Sequence, residues 1–246
     1  MNIELKEGER IDNIGFGRLS LIQKPSEFCY GIDAVLLADY VGQLKKDFKV
    51  VDLGTGTGII PLILSHKTEA SELWGVEIQK ESYERANRTI AMNKLTERIY
   101  LVHCDVKDVV KHFGTGKFDV VVTNPPYNVK KGSLANENVA KTIARHETTA
   151  TLDNFIEAAS TLLRSRGDFY LIHRPSRLVD IFYLARRYHL EPKEIRFVAP
   201  NREKKPNLVL VHCVKGGGPE LNFADNLYVY NSEGGYTEEI NAIYER

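Results

Sequence analysis

From residue 49 onward, short β-rich apolar runs alternate with longer stretches whose apolar residues recur at helical spacing. The runs are KVVDL (49–53), ELWGVEI (72–78), IYLVH (99–103), FDVVVT (118–123), GDFYLIH (167–173), EIRFVA (194–199) and NLVLVHCV (207–214), seven candidate strands. Helical patterns fill the first five gaps, at 59–66, 82–93, 106–112, 152–163 and 177–188. Parallel neighbours need a long crossover, so this alternation predicts right-handed βαβ units and a mostly parallel α/β sheet covered on both faces. Only residues 200–206 separate the sixth and seventh runs, too few for such a crossover, and the last strand is therefore expected to run antiparallel.

The same pattern divides a single domain into three parts. Residues 1–45 contain a candidate hairpin, with RLSLIQ (18–23) as one strand, and a helix near 32–41, both expected to pack on the core. Residues 46–218 form that core, and residues 219–246 form a C-terminal acidic tail. Residues 128–149 are a long polar segment, and a loop of that length inside a compact domain predicts a lid over a site.

Composition narrows the picture modestly. A chain of 246 residues with 43% hydrophobic content is long enough for one closed core. Its start, MNIELKEGER, is too charged for a signal peptide, and no apolar run approaches the ~20 residues that cross a bilayer. A soluble, cytoplasmic protein with no membrane partner is expected, as a monomer or a homodimer. Cys29, Cys104 and Cys213 are odd in number and far apart, which supports neither a disulfide framework nor a zinc site, and no metal is expected. The formal net charge is zero but uneven: residues 164–205 hold eleven Lys/Arg against five Asp/Glu, and residues 219–246 hold one against six. A basic face on a neutral protein suits a polyanion such as RNA, while the plainer reading is a set of solvated helix and loop faces.

The candidate chemistry lies where two of the strands end. Asp52-Leu53-Gly54-Thr55-Gly56-Thr57-Gly58 follows the first core run, and its alternating glycines let the backbone turn off the strand and let a ligand approach. A dinucleotide fingerprint would need Gly at position 59, where the chain has Ile59, and this departure together with the leading Asp52 points to S-adenosylmethionine. Glu77 ends the second run, where an acid can accept hydrogen bonds from ribose hydroxyls. Asp105 follows the third run, where it can cap the next helix, and Gly31 and Asp33 in CYGIDAVLLA can mark a helix start.

Asn124-Pro125-Pro126-Tyr127 follows the fourth run. An aromatic amine is a poor nucleophile because its lone pair is delocalised into the ring. The Asn124 side-chain oxygen and the Pro125 carbonyl can accept its hydrogens and draw the nitrogen toward tetrahedral geometry, while Tyr127 stacks on the planar group. The prolines restrict the backbone around that carbonyl. Alternatively Asn-Pro-Pro is a turn that closes a strand.

These motifs resemble those of class I methyltransferases, which implies a Rossmann-like seven-stranded sheet of order 3-2-1-4-5-7-6, with Asp52 near the methionine end of the cofactor, Asp105 near its adenine, and Gly31 and Asp33 in a segment that closes over the methionine moiety. The motif NPPY is shared by enzymes that methylate adenine in DNA or RNA and glutamine in release factors. GRLSLIQKPSEFCYGIDAVLLADY, VEIQ (76–79), ARHE (144–147), RPSRLVDI (174–181) and YNSEGGYTEEINAIY resemble the bacterial tRNA1(Val) (adenine(37)-N6)-methyltransferase family. The resemblance implies tRNA as partner, or another RNA, with an adenine splayed from the anticodon stack into the pocket. Phosphate contacts are then expected from Arg174, Arg177, Arg202, Lys204 and Lys205, and from Lys130, Lys131 and Arg145 on the lid, although Arg145 can equally belong to an ion-paired helix start. The alternatives are methylation of ribosomal RNA adenine or of release-factor glutamine, or a cofactor-binding RNA assembly factor without catalysis.

Overall fold

The computed structural model describes residues 4–27, 29–127 and 150–245. Strand β1 (Arg10–Asn13) pairs antiparallel with β2 (Ser20–Gln23), and helix α1 (Ile32–Tyr40) follows. The core then alternates β3 (Lys49–Leu53), α2 (Ile59–Lys67), β4 (Glu72–Glu77), α3 (Lys80–Met92), β5 (Ile99–His103), α4 (Val109–Phe113), β6 (Phe118–Thr123), α5 (Leu152–Leu162), β7 (Leu163–His173) and α6 (Leu178–Arg187). It closes with β8 (Leu190–Ala199), β9 (Leu208–Lys215), β10 (Asn222–Tyr228) and α7 (Glu238–Ile243).

The sheet order is β10-β8-β9-β7-β6-β3-β4-β5. Counted from β3, the seven expected strands lie in the order 3-2-1-4-5-7-6, with β9 antiparallel to both neighbours. Residues 222–228 add an eighth strand, parallel to β8. The link from β9 is short because the carboxyl end of β9 and the start of β8 lie side by side, with Leu190 opposite Lys215. Gly216, at φ +64°, turns the chain, and Lys193 Nζ donates to the carbonyls of Gly218, Pro219 and Glu220 at 3.3, 2.9 and 2.9 Å. The acidic residues 219–246 thus carry an edge strand and a helix: Ile240 and Ile243 of α7 are buried in the core, and Glu239 pairs with Arg196.

Alternate strand residues feed two cores. Val50, Val120, Val122, Ile172 and Leu210 face α1, α2, α3 and α7, whereas Val51, Val121, Leu171 and Val211 face α5 and α6. Burial on both faces explains why the parallel strands read as unbroken apolar runs rather than as alternating ones. The N-terminal hairpin is held on α3 by side chains: Thr89 Oγ1 accepts from Ile22 N at 3.1 Å, and Asn93 bonds both backbone groups of Ser20. Arg85, 3% exposed, joins Glu9 and Glu27, and Arg88 joins Glu9 as well. The Arg88 hydrogen bonds lower the Glu9 carboxyl to about 2 against the opposing effect of burial. Among the described residues no helix is long and apolar enough to cross a membrane.

Candidate active site

β3 and β6 are hydrogen-bonded neighbours, and their last residues, Leu53 and Thr123, are register partners. Thr123 Oγ1 also donates to Leu53 O at 2.8 Å, so the glycine loop and the NPPY segment leave adjacent strands at one level. This is the carboxyl edge of a parallel sheet at the point where strand order reverses, where ligands of open α/β sheets bind.

On the β3 side the backbone makes a cradle. Gly54, Gly56 and Gly58 all have positive φ, at 77°, 57° and 80°. At Gly56 an added Cβ would meet no described atom within 4 Å, so its space opens toward a ligand rather than into packing. Gly56 N donates to Glu77 Oε2 at 2.8 Å and Gln79 N to Glu77 Oε1 at 2.7 Å, so Glu77 shapes the loop while each oxygen keeps a second lone pair. Burial raises the Glu77 carboxyl, opposed by those N–H groups.

Asp52 is 1% exposed, and neither carboxylate oxygen has a hydrogen-bond partner among the described residues; Thr55 Oγ1 is likewise buried without one. Burial pushes the Asp52 carboxyl up to about 7, the Thr55 hydroxyl dipole opposing and the Glu77 charge adding to the rise. Orphaned polar atoms at such a depth cost ~1–3 kcal/mol each unless a ligand satisfies them. An acceptor pair beside a glycine cradle suits the cationic methionine end and the ribose of S-adenosylmethionine, and the residues present fit that group.

The β6 side is arranged differently. Asn124 Nδ2 donates to Asp33 Oδ2 at 3.0 Å, and the Tyr127 hydroxyl lies 3.0 Å from Asn124 Oδ1 and 3.3 Å from Asp33 Oδ2. Pro125 is buried and Pro126 exposed. The Tyr127 ring meets the His173 ring at 4.9 Å between centroids, and the Arg174 guanidinium covers it at 5.7 Å. Burial raises the Tyr127 phenol, and the Asp33 charge raises it further. His173, 2% exposed, is pushed down to about 4 by burial and by the nearby Arg177 and Arg174 charges, and its Nδ1 accepts from Arg174 N at 2.8 Å. A neutral imidazole therefore backs the Tyr127 ring.

The remaining expected site residues divide by position. Gly31 caps α1 with extended backbone, and Asp33 sits against Asn124 and Tyr127. Asp105 accepts from Lys107 N at 2.9 Å and pairs with Lys107 Nζ, which is the geometry of a helix cap. Arg174 and Arg177 follow β7, and Arg202, Lys204 and Lys205 are exposed on the turn after β8. Both strands end at the same sheet edge as NPPY. Arg177 pairs with Asp180 at 2.6 Å, and Arg202 lies over Tyr228 at 5.3 Å. Lys130, Lys131, Arg145 and the expected lid at 128–149 lie outside the described residues. The sequence reading passed over His173; its only signal was its place at the end of the fifth core strand, immediately before Arg174.

Fold and site together define an S-adenosylmethionine-dependent methyltransferase. The methyltransferase small domain model matches residues 32–180. A tRNA1(Val) (adenine(37)-N6)-methyltransferase of Porphyromonas gingivalis is 30% identical over 235 residues, covering 93% of this chain and 91% of the relative. The enzyme of the same name from Cytophaga hutchinsonii is 28% identical, covering 84% and 85%. The chain belongs to the methyltransferase small domain family and, within it, to the family of the tRNA1(Val) (adenine(37)-N6)-methyltransferases. Among solved structures, a predicted O-methyltransferase from Agrobacterium tumefaciens shares the fold with a TM-score of 0.71 at 22% identity, covering 87% of this chain and 95% of that one. Geranyl diphosphate C-methyltransferase from Streptomyces coelicolor shares it with a TM-score of 0.56 at 14% identity, covering 75% and 78%.

Proposed function

We propose that this enzyme methylates N6 of an adenine in tRNA, at position 37 beside the anticodon. The observation that carries the reading is the common level at which β3 and β6 end, which sets Asp52 and its glycine loop beside Asn124 and Tyr127. The names of the relatives support the choice of tRNA and base.

When bound, S-adenosylmethionine supplies a methyl group already activated on a sulfonium. The task of the protein is to make an adenine amine nucleophilic. Asn124 Oδ1 and the Pro125 carbonyl accept its two N–H groups, localise the lone pair on nitrogen and stabilise the positive charge that develops there. Tyr127 offers a ring for the splayed base to stack on, a contact worth ~1–3 kcal/mol, and its own position is fixed by His173 and Arg174. Arg177, Arg202, Lys204 and Lys205 provide cations along the same edge for phosphates. Glu77 serves the ribose of the cofactor, while Asp105 is held as the cap of the turn that follows β5.

The test is nucleoside mass spectrometry after incubation with S-adenosylmethionine and unmodified transcripts of tRNA and ribosomal RNA, with a release factor in parallel. N6-methyladenosine in a valine tRNA, mapped to position 37, is the expected result. Methyl found only in ribosomal RNA or on a glutamine would overturn the substrate while keeping the chemistry.

A further inference from the structure

We propose that Asp33 is a positioning residue for methyl transfer: it aims the Asn124 amide oxygen at the substrate amine and takes over the Tyr127 hydroxyl when that amine arrives. The inference rests on the reading of Asn124 as the acceptor of the amine.

A side-chain amide has an accepting end and a donating end of almost the same shape, and only the oxygen end can receive an amine N–H. Turned the other way, Asn124 would meet the substrate donor to donor. Asp33 decides between the two. Its carboxylate only accepts, so at 3.0 Å it must face the Asn124 NH2 group; the flipped amide would set oxygen against oxygen. The constraint comes from α1, 91 residues earlier in the chain. The other carboxylate oxygen, Oδ1, accepts from Ala34 N at 3.1 Å, so the carboxylate that turns the amide is itself tied to the backbone in the first turn of α1.

The second role follows from the Tyr127 hydroxyl. It carries one proton and has two acceptors in reach, Asn124 Oδ1 at 3.0 Å and Asp33 Oδ2 at 3.3 Å. With no substrate present, the hydroxyl sits on the oxygen that the amine needs. An arriving N–H competes with it for Oδ1, and where the amine takes that lone pair, rotation about the C–O bond redirects the proton to Asp33, so no buried donor is stranded. The negative charge behind the amide also polarises it and strengthens acceptance at Oδ1, by ~10–30% per linked bond.

The experiment compares the wild-type chain with Asp33→Ala and Asp33→Asn, reading kcat and KM on the tRNA transcript, S-adenosylhomocysteine affinity by calorimetry, and the melting temperature. It also reads the Asn124 side-chain amide signal in a 15N–1H spectrum, assigned by its absence in Asn124→Ala. Asp33→Ala is expected to lower kcat by about 100-fold, with cofactor-product affinity changed less than about twofold. Asp33→Asn, whose own amide oxygen can still face the Asn124 NH2, should recover about tenfold of that loss, and the Asn124 signal should move in both variants. An unchanged kcat, or a loss carried wholly by weaker S-adenosylhomocysteine binding, overturns the proposal. If the wild-type chain leaves tRNA unmethylated, the substrate reading fails, and the amide signal still decides the role of Asp33: a shift in the variants supports it, and an unmoved signal overturns it.

Discussion

The two halves of the site hold their polar groups in opposite conditions. On the β3 side, both oxygens of Asp52 and the hydroxyl of Thr55 are buried with no partner among the described residues. On the β6 side, Asn124, Tyr127 and Asp33 satisfy one another. A half left unsatisfied gains hydrogen bonds when its ligand binds, whereas a self-satisfied half must exchange one bond for another. The cofactor side is therefore built for affinity. The substrate side is built to discriminate, since only a group able to replace the Tyr127 hydroxyl on Asn124 Oδ1 recovers what it disrupts.

The strongest test of that division is Asn124→Ala. Loss of one preorganised partner of developing charge should lower kcat by about 10²–10³-fold while S-adenosylhomocysteine affinity, measured by calorimetry, stays within about twofold. A parallel collapse of affinity would mean that the halves are not separate. The reciprocal variant, Asp52→Ala, should weaken cofactor binding by about 10- to 100-fold, the worth of a charge-assisted hydrogen bond, and leave kcat at saturation nearly unchanged.

The halves should also answer pH in opposite directions. Asp52 is raised from 3.8 to about 7 by burial, so its contribution to the stability of the ligand-free protein is fully present below 3.8 and is lost as pH rises through 7. The α-ammonium at the methionine end, which S-adenosylhomocysteine keeps although it lacks the sulfonium, needs the carboxylate, and S-adenosylhomocysteine affinity should accordingly rise from pH 6 to pH 8, a slope that Asp52→Asn removes. His173 is lowered from 6.5 to about 4 by burial, so its contribution is present above 6.5 and is lost as pH falls through 4. Thermal melts of the ligand-free chain should show the acid-side loss reduced in His173→Gln, by about 2–4 °C per kcal/mol recovered. Identical pH profiles for wild type and variant would remove His173 from the account.

The cofactor half was the more legible in sequence because its parts are local. Asp52 and Gly54 to Gly58 form one uninterrupted motif, and positive φ at alternate positions is a demand only glycine meets without strain. Crossover lengths gave the directions of the strands, whereas their order came only from the resemblance to class I methyltransferases. Strand β10 escaped because NFADNLY has weak alternation; it is a strand by virtue of β8 beside it and of Lys193 gripping the preceding link. Asp33 was ambiguous for a similar reason. A helix start and a group closing over the cofactor look alike along the chain, and its bond to Asn124 spans 91 residues that the fold alone brings together. His173 reads as the last residue of a strand until Tyr127 is laid against it.

The smallest effect should come from Tyr127→Phe, which separates the stacking surface from the hydroxyl. The ring is retained, and with it the contacts to His173 and Arg174. What disappears is the donor sitting on Asn124 Oδ1. The substrate amine then meets no competing donor, and because the wild-type hydroxyl recovers a bond at Asp33, KM should fall by only about twofold with kcat nearly unchanged. Steady-state kinetics on the tRNA transcript reads this directly. A rise in KM would show that the hydroxyl binds the substrate itself, and the β6 side would then be, like the β3 side, a set of groups waiting for a ligand.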